Sequence, residues 1–366
     1  MAHTTALGVD ATRLLRDQRG MGRWVRNVLR ALPTVRPALR YTFYLARPAD
    51  AGAVQALLAA LHPAYATQAT MASVREIAES RAEVLWYPWN WLHTPARHAA
   101  MVASIADVAP MLQLDHRWWK VLKRARFHRR FQQTVQQAHR VLTISTFSAD
   151  ELVRHVRADR SRMHVTALGT DDMAQAHDNG AAVRARLGVP EQFFLSVGAL
   201  DARKNLRTLY AAMRALHAAG VTVPLVQCGP RAATVWEPWL LDLGYVADAD
   251  LATLYREATA LVFPSRYEGF GLPVAEAMAV GGRVICANAS SLPEVAGEAG
   301  LYFPWDDAAV LAAQMQRVLQ DASLRATMTD AGRVQSARFR WATTAAGTLD
   351  AFDAALADHR RSRPAT

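Results

Sequence analysis

Cysteine is nearly missing from this chain: 366 residues hold only Cys228 and Cys286. Both lie inside apolar, strand-like runs. The expectation is reduced core thiols, not a disulfide framework or a cysteine-built metal site. Long apolar runs are missing as well, since no stretch approaches the roughly 20 apolar residues needed to cross a bilayer. The start, Met-Ala-His-Thr-Thr-Ala-Leu-Gly-Val-Asp, lacks the basic opening and apolar core of a signal peptide. No internal repeat and no low-complexity tract is visible. The expected location is therefore cytoplasmic, at most peripheral on the inner face of the plasma membrane.

Positive charge, in contrast, is plentiful. The formal net charge is +10, with half the residues apolar and 20% charged. A globular protein with that excess favours phosphate-bearing partners, polyanions or an anionic membrane surface.

Short apolar runs alternate with helix-like segments almost throughout. The first series of expected strands is Ala6–Val9, Tyr41–Leu45, Val84–Tyr87, Met101–Ile105, Val141–Ile144 and His164–Ala167. The second is Phe193–Val197, Pro224–Cys228, Gly244–Val246, Ala260–Phe263, Arg283–Cys286 and Leu301–Phe303. This alternation predicts an α/β protein with parallel sheets and crossover helices. The stretch 169–182 has no apolar periodicity and reads as a linker between two doubly wound domains. In such sheets ligands bind beyond the carboxyl ends of the strands, and clefts between domains are favoured pocket positions.

The densest signal is Tyr267-Glu268-Gly269-Phe270-Gly271-Leu272-Pro273-Val274-Ala275-Glu276. The apolar run Ala260–Phe263 precedes it, and a helix is expected from Pro273, because proline is tolerated in a first turn. Glu268 would then stand on the loop and Glu276 in the first helical turn. Backbone amides of Phe270, Gly271 and Leu272 would face the same space beside the positive end of the helix dipole. Amides for a diphosphate and carboxylates for hydroxyls suit an activated sugar. Upstream, Gly198 and the run Asp201-Ala202-Arg203-Lys204-Asn205 lie between an expected strand and a helix. Arg203 and Lys204 offer a fork and a point charge to phosphate oxygens; alone, they would read equally well as solvated surface cations. Near the start, Arg19-Gly20-Met21-Gly22-Arg23-Trp24 puts glycines before an expected helix at Trp24–Leu32. A lone Gly-x-Gly is usually only a turn, and the dinucleotide fingerprint is absent.

Together these segments resemble the retaining glycosyltransferases of family 4. The resemblance rests on Gly20-Met21-Gly22-Arg23-Trp24, Leu142–Ser148, Val197-Gly198 with Arg203-Lys204-Asn205, and Gly244-Tyr245-Val246. It also includes Glu268 through Glu276, the Glu-x7-Glu signature, followed by Ser291-Leu292-Pro293-Glu294-Val295. It implies a GT-B architecture, two Rossmann-like domains facing across a cleft. An acceptor-binding domain would span 1–170 and a nucleotide-sugar domain 171–345, with residues 346–366 forming a helix that packs back on the first domain and a frayed tail. Arg203 and Lys204 would neutralise the donor diphosphate, and amides around Gly271 and Leu272 would hold its oxygens. Glu276 would accept hydrogen bonds from the ribose, and Glu268 would contact the donor sugar in a catalytic role. Phe270, Gly20, Gly22 and Val246 complete the implied donor site. No cofactor and no metal is implied, and the anomeric configuration would be retained. Gly-Phe-Gly-Leu-Pro points first to mannose from GDP-mannose, with UDP-glucose second.

Two departures stand out. Where the family often has a His-Asp pair, this chain has Ala106-Asp107, leaving Asp107 as the implied catalytic partner and His93 or His116 as candidate substitutes. The segment between Pro230 and Leu243 is short, which bears on the base pocket. Asp248-Ala249-Asp250 has metal-binding spacing but directly precedes a helix, so capping is the reading adopted. The segment 116–131 mixes Lys and Arg with Trp and Phe. Arg117, Trp118, Trp119, Lys120, Lys123 and Arg124 suit an anionic membrane or a lipid-linked acceptor; a solvated basic helix is the plain alternative, and nucleic acid is not expected. The rival function is a non-catalytic nucleotide-sugar-binding subunit, and a nucleotide-sugar epimerase is a third.

Overall fold

The computed structural model describes residues 3–17, 20–112, 120–173, 179–198, 201–230 and 237–362. The chain divides into two compact units, Met1–Gly169 with Trp341–Thr366, and Thr170–Arg340.

The first unit runs β1 (Ala6–Asp10), α1 (Gly20–Val35), β2 (Arg40–Leu45), α2 (Ala51–Leu61), α3 (Tyr65–Gln68), β3 (Ala69–Ser73), β4 (Val84–Tyr87) and β5 (Ala100–Ser104). It continues through α4 (Ala109–Leu112), α5 (Lys120–Gln137), β6 (Arg140–Thr143), α6 (Thr146–Val156) and β7 (Met163–Val165). The second unit holds α7 (Gly180–Leu187), β8 (Phe194–Val197), α8 (Leu206–Ala218), β9 (Leu225–Cys228), β10 (Leu240–Gly244), α9 (Asp248–Glu257) and β11 (Ala260–Phe263). After these come α10 (Leu272–Ala279), β12 (Val284–Ala287), α11 (Leu292–Ala296), β13 (Gly300–Phe303), α12 (Ala308–Gln320) and α13 (Ala322–Ser336). The last helix, α14 (Trp341–Ser362), returns to the first unit.

Each unit is built on a parallel sheet, ordered β3-β2-β1-β4-β5-β6-β7 in the first and β10-β9-β8-β11-β12-β13 in the second. Central strands such as β4 and β11 are buried at every position, as expected where helices cover both faces of a parallel sheet. That is why they read as unbroken apolar runs. In each sheet the order reverses once, between β1 and β4 and between β8 and β11. Crevices at such switch points, beyond the strand carboxyl ends, are where these folds take ligands.

Two expected elements moved. Gly244–Val246 is not a strand; the chain pairs at Leu240–Gly244 instead, where Asp242 interrupts the leucines and its Oδ1 accepts from Gly244 N at 3.0 Å beside a register shift. β3 was not expected, because its small, half-buried residues make a weak edge-strand pattern. The helix expected at Trp24 begins at Gly20, so both glycines lie in its first turn.

The helix α14 packs on α1 and on β4 through β7. Its Asp353 clips the start of β1: Arg36 donates to both carboxylate oxygens at 2.8 Å, and Thr4 N donates at 2.8 Å. Burial alone would push the Asp353 carboxyl up, but these donors hold it well below the usual carboxylate range. At Gly169 a β-carbon would come within 2.3 Å of Trp341 N. The chain therefore leaves the first unit beside the point where it re-enters.

Candidate functional site

The carboxyl ends of β8, β9 and β11 carry the residues singled out in the second unit. Gly198 follows β8 with φ 144° and Gly229 follows β9 with φ 140°. A β-carbon on Gly229 would stand 2.2 Å from Gly198 O, so only glycine lets these two turns pass each other. Past Gly198, Asp201 caps a short 3₁₀ turn over Ala202–Lys204, accepting from Arg203 N at 2.9 Å and Arg203 Nε at 3.1 Å. Burial raises the Asp201 carboxyl's pKa, yet the bonds and charge of Arg203 bring it below the ordinary value.

Lys204 points inward. Its Nζ lies 2.6 Å from Glu268 Oε1 and 4.8 Å from the centre of the Phe263 ring, with both charged side chains mostly buried. Asn205 takes a left-handed turn and donates to Pro264 O and Trp305 O, tying the loop to its neighbours. A small cavity beside the pair is lined by Ser196, Gly198, Lys204, Gln227, Phe263 and Ser265. The Ser265 hydroxyl is fully buried with no hydrogen-bond partner among the described residues, a group that could bind a ligand atom.

The Glu268 loop is held at its backbone. Glu268 N donates to Ser290 Oγ and Ser291 Oγ donates to Glu268 O, each at 3.0 Å. Gly271, at φ 96°, is the N-cap of α10; a β-carbon there would meet Leu292 at 2.6 Å. Because α10 begins at Leu272, Glu276 is its fifth residue, beyond the first turn where it was expected. Glu276 is buried, and its Oε2 accepts from the Tyr255 hydroxyl at 3.0 Å. Nothing local in the sequence announces that bond, which spans 21 positions. The Phe270 ring packs edge-on against Phe339 at 5.4 Å, leaving its backbone for any ligand contact. Val246 is buried just past β10, whereas its neighbour Tyr245 is 88% exposed. The arrangement offers cations, amides at a helix start and two carboxylates, the groups that a sugar bound to a diphosphate requires.

The remaining candidates lie on other elements. Asp107 Oδ1 accepts from Ala109 N at 2.8 Å, at the start of α4. Gly22 is buried, with space for a β-carbon blocked 1.8 Å from Asp17 O, so its glycine answers a packing need; Gly20 is open. Asp248 and Asp250 open α9, but its N-cap is Ala247 and no side chain caps it; Asp250 instead pairs with Arg186 at 2.6 Å. The capping reading is thus corrected to first-turn charges that favour the helix dipole. Arg117, Trp118 and Trp119 fall outside the described residues, as does the Lys120 side chain. Along α5, Lys123 Nζ lies 5.9 Å from the Phe127 ring centre, Arg124 is exposed and Leu122 is 79% exposed. Among the described residues, no helix is long and apolar enough to cross a membrane.

Residues 183–335, all in the second unit, match the family of glycosyl transferases group 1. Over 235 residues the chain is 34% identical to O-antigen chain mannosyltransferase B of Escherichia coli, covering 60% of this chain and 62% of that protein. The chain thus matches less than two thirds of that relative's own length. Sucrose-phosphate synthase from Thermosynechococcus elongatus has the same fold at a TM-score of 0.72 and 19% identity, over 97% of this chain and 100% of that one. Anabaena HepE in complex with UDP and glucose gives 0.68 at 15% identity, over 95% and 99%. With its two parallel-sheet units, the chain has the GT-B fold.

Proposed function

We propose that this protein is a retaining hexosyltransferase of family 4, moving mannose from GDP-mannose to a lipid-linked glycan in polysaccharide or lipopolysaccharide synthesis. The observation that carries the proposal is the Lys204–Glu268 pair beside α10, within the segment that matches glycosyl transferases group 1. The choice of mannose draws support from the E. coli mannosyltransferase relative. On this reading the donor's diphosphate draws Lys204 away from Glu268 and receives Arg203 and the amides near Gly271 and Leu272. Glu268 is then free to hold the sugar, and Glu276, steadied by Tyr255, takes the ribose hydroxyls.

The chemistry needs charge stabilisation on the departing phosphate more than a protein nucleophile. In the proposed step the sugar–phosphate bond breaks through an oxocarbenium-like state. A phosphate oxygen takes the acceptor's proton on the same face, so configuration is retained without a resident metal or cofactor. The basic α5 and the Trp-rich segment before it would hold the protein at an anionic membrane, where a lipid-linked acceptor resides.

The test is NMR of the product anomer formed from GDP-mannose, with and without a chelator. An α product from the α donor, unaffected by chelator, supports the reading; an inverted or chelator-abolished product refutes the mechanism. The rival, a donor-binding subunit without catalysis, rests on Ala106 standing where the family often has histidine. It predicts donor binding with no transfer and no slow release of free sugar.

A further inference from the structure

In the first unit the strand order reverses between β1 and β4, and the carboxyl ends of those strands bring together two groups that the donor chemistry leaves unused. Asp10 closes β1 with 1% of its surface exposed. Its Oδ1 accepts from Thr12 N at 3.0 Å and Thr12 Oγ1 at 2.7 Å. Its Oδ2 lies 3.5 Å from Nδ1 of His93, in the loop after β4. That loop is tied down: Trp89 Nε1 donates to Asp10 O at 2.8 Å, Leu92 N donates to Thr134 Oγ1 at 3.1 Å, and Tyr87 OH donates to Thr94 O at 2.5 Å. The Tyr87 ring meets the imidazole edge-on at 5.9 Å. The far side of the imidazole is not sealed, since 34% of the His93 side chain is exposed.

A carboxylate this deep is costly unless partners face it. Burial pushes the Asp10 carboxyl up, while His93, Thr12 and Arg13 oppose that shift. Arg13 is already engaged with Asp17 at 3.3 Å. Asp10 therefore serves one turn through Oδ1 and one histidine through Oδ2, at the place in the sheet where ligands bind. Its negative charge disfavours an anionic ligand. An imidazole that donates its Nδ1–H to the carboxylate keeps Nε2 as an acceptor, which selects a hydroxyl donor.

Resting on the transferase reading above, we propose that His93 binds a hydroxyl of the acceptor glycan and that Asp10 is the positioning residue that holds it. The 3.5 Å separation tightens when the hydroxyl arrives, as such contacts do in substrate complexes.

The experiment uses the full chain, GDP-mannose and excess methyl α-D-mannopyranoside or methyl α-D-glucopyranoside as acceptor probes. Transfer kinetics are measured alongside saturation-transfer NMR of the glycoside. His93→Ala raises the glycoside KM about tenfold or more with unchanged donor affinity. Asp10→Asn raises it less, and His93→Gln, which retains an acceptor atom, recovers part of the loss. His93 is exposed, so its variants remain folded, as a thermal midpoint checks, even where Asp10→Asn fails to fold. Glycoside binding and KM unmoved by His93→Ala overturn the proposal, as does a wild-type chain that binds donor but neither glycoside. Failure of the wild type to bind any donor instead overturns the transferase reading.

Discussion

At the carboxyl end of the second unit's sheet, loops are locked by backbone: Gly198, Gly229 and Gly271 allow close approaches, and Ser290 and Ser291 hold Glu268 from both sides. At the same end of the first unit's sheet, one buried carboxylate and a tethered loop present an exposed histidine, and a basic helix leaves Leu122 to solvent. On the proposed function the contrast fits different ligands. A diphosphate is a constant feature that a rigid cradle can anticipate, since preorganised donors avoid reorganisation on binding. A glycan hydroxyl near a membrane needs a few aimed groups on a more open surface. The second unit has invested in geometry, the first in individual side chains.

Membrane contact gives the largest expected effect and puts the openness of the first unit to the test. Reversing Lys120, Lys123 and Arg124 removes at least about 3 kcal/mol of attraction at about 1 kcal/mol per cation, so binding to anionic liposomes falls a hundredfold or more. Equal co-sedimentation of variant and parent would remove the membrane from the account. In the second unit, Lys204→Ala weakens donor binding by about 1.5–3 kcal/mol, one to two orders of magnitude in Kd. Unchanged affinity by calorimetry would show that Lys204 serves only Glu268. The rigidity of the cradle is sharpened by Gly229→Ala, which forces a β-carbon onto Gly198 O in a backbone region that suits glycine. A loss of about 1–3 kcal/mol of stability is expected, read as a lower thermal midpoint and a weaker donor Kd together. If only the midpoint falls, the turn supports the sheet without shaping the site.

The smallest effect concerns the clip between α14 and β1. The Asp353 carboxyl is depressed in the folded protein, so its contribution is present above the ordinary carboxylate pKa of about 3.9 and fades as pH falls through the lower folded value. Asp353→Asn should lower the unfolding midpoint at neutral pH and flatten its decline in acid. A decline as steep as the parent's would show that other carboxylates control acid unfolding.

Much of this was legible in the sequence where the deciding interactions are local. Ala260–Phe263 and Val84–Tyr87 coincide with their strands because both faces are buried and nothing polar interrupts them. The Glu268 loop was legible because glycine, proline and helix onset fall within a few residues. The first helical turn was misplaced by one residue, since α10 begins at Leu272 and not at Pro273. The Tyr255–Glu276 and Asp10–His93 partnerships were not legible, because the packing of α9 on α10 brings the first pair together and the pairing of β1 with β4 the second. Gly22 misled in the opposite direction: a residue type that suits ligand approach is demanded here by the carbonyl of Asp17.

The most direct test of the central claim is calorimetric titration of the full chain with GDP-, UDP- and dTDP-sugars, beside Glu276→Ala. The account predicts that one nucleotide sugar, GDP-mannose first, binds the wild type and is weakened by about tenfold or more in the variant. A folded wild-type chain that binds none of them, or a Glu276→Ala variant that binds equally well, would contradict it.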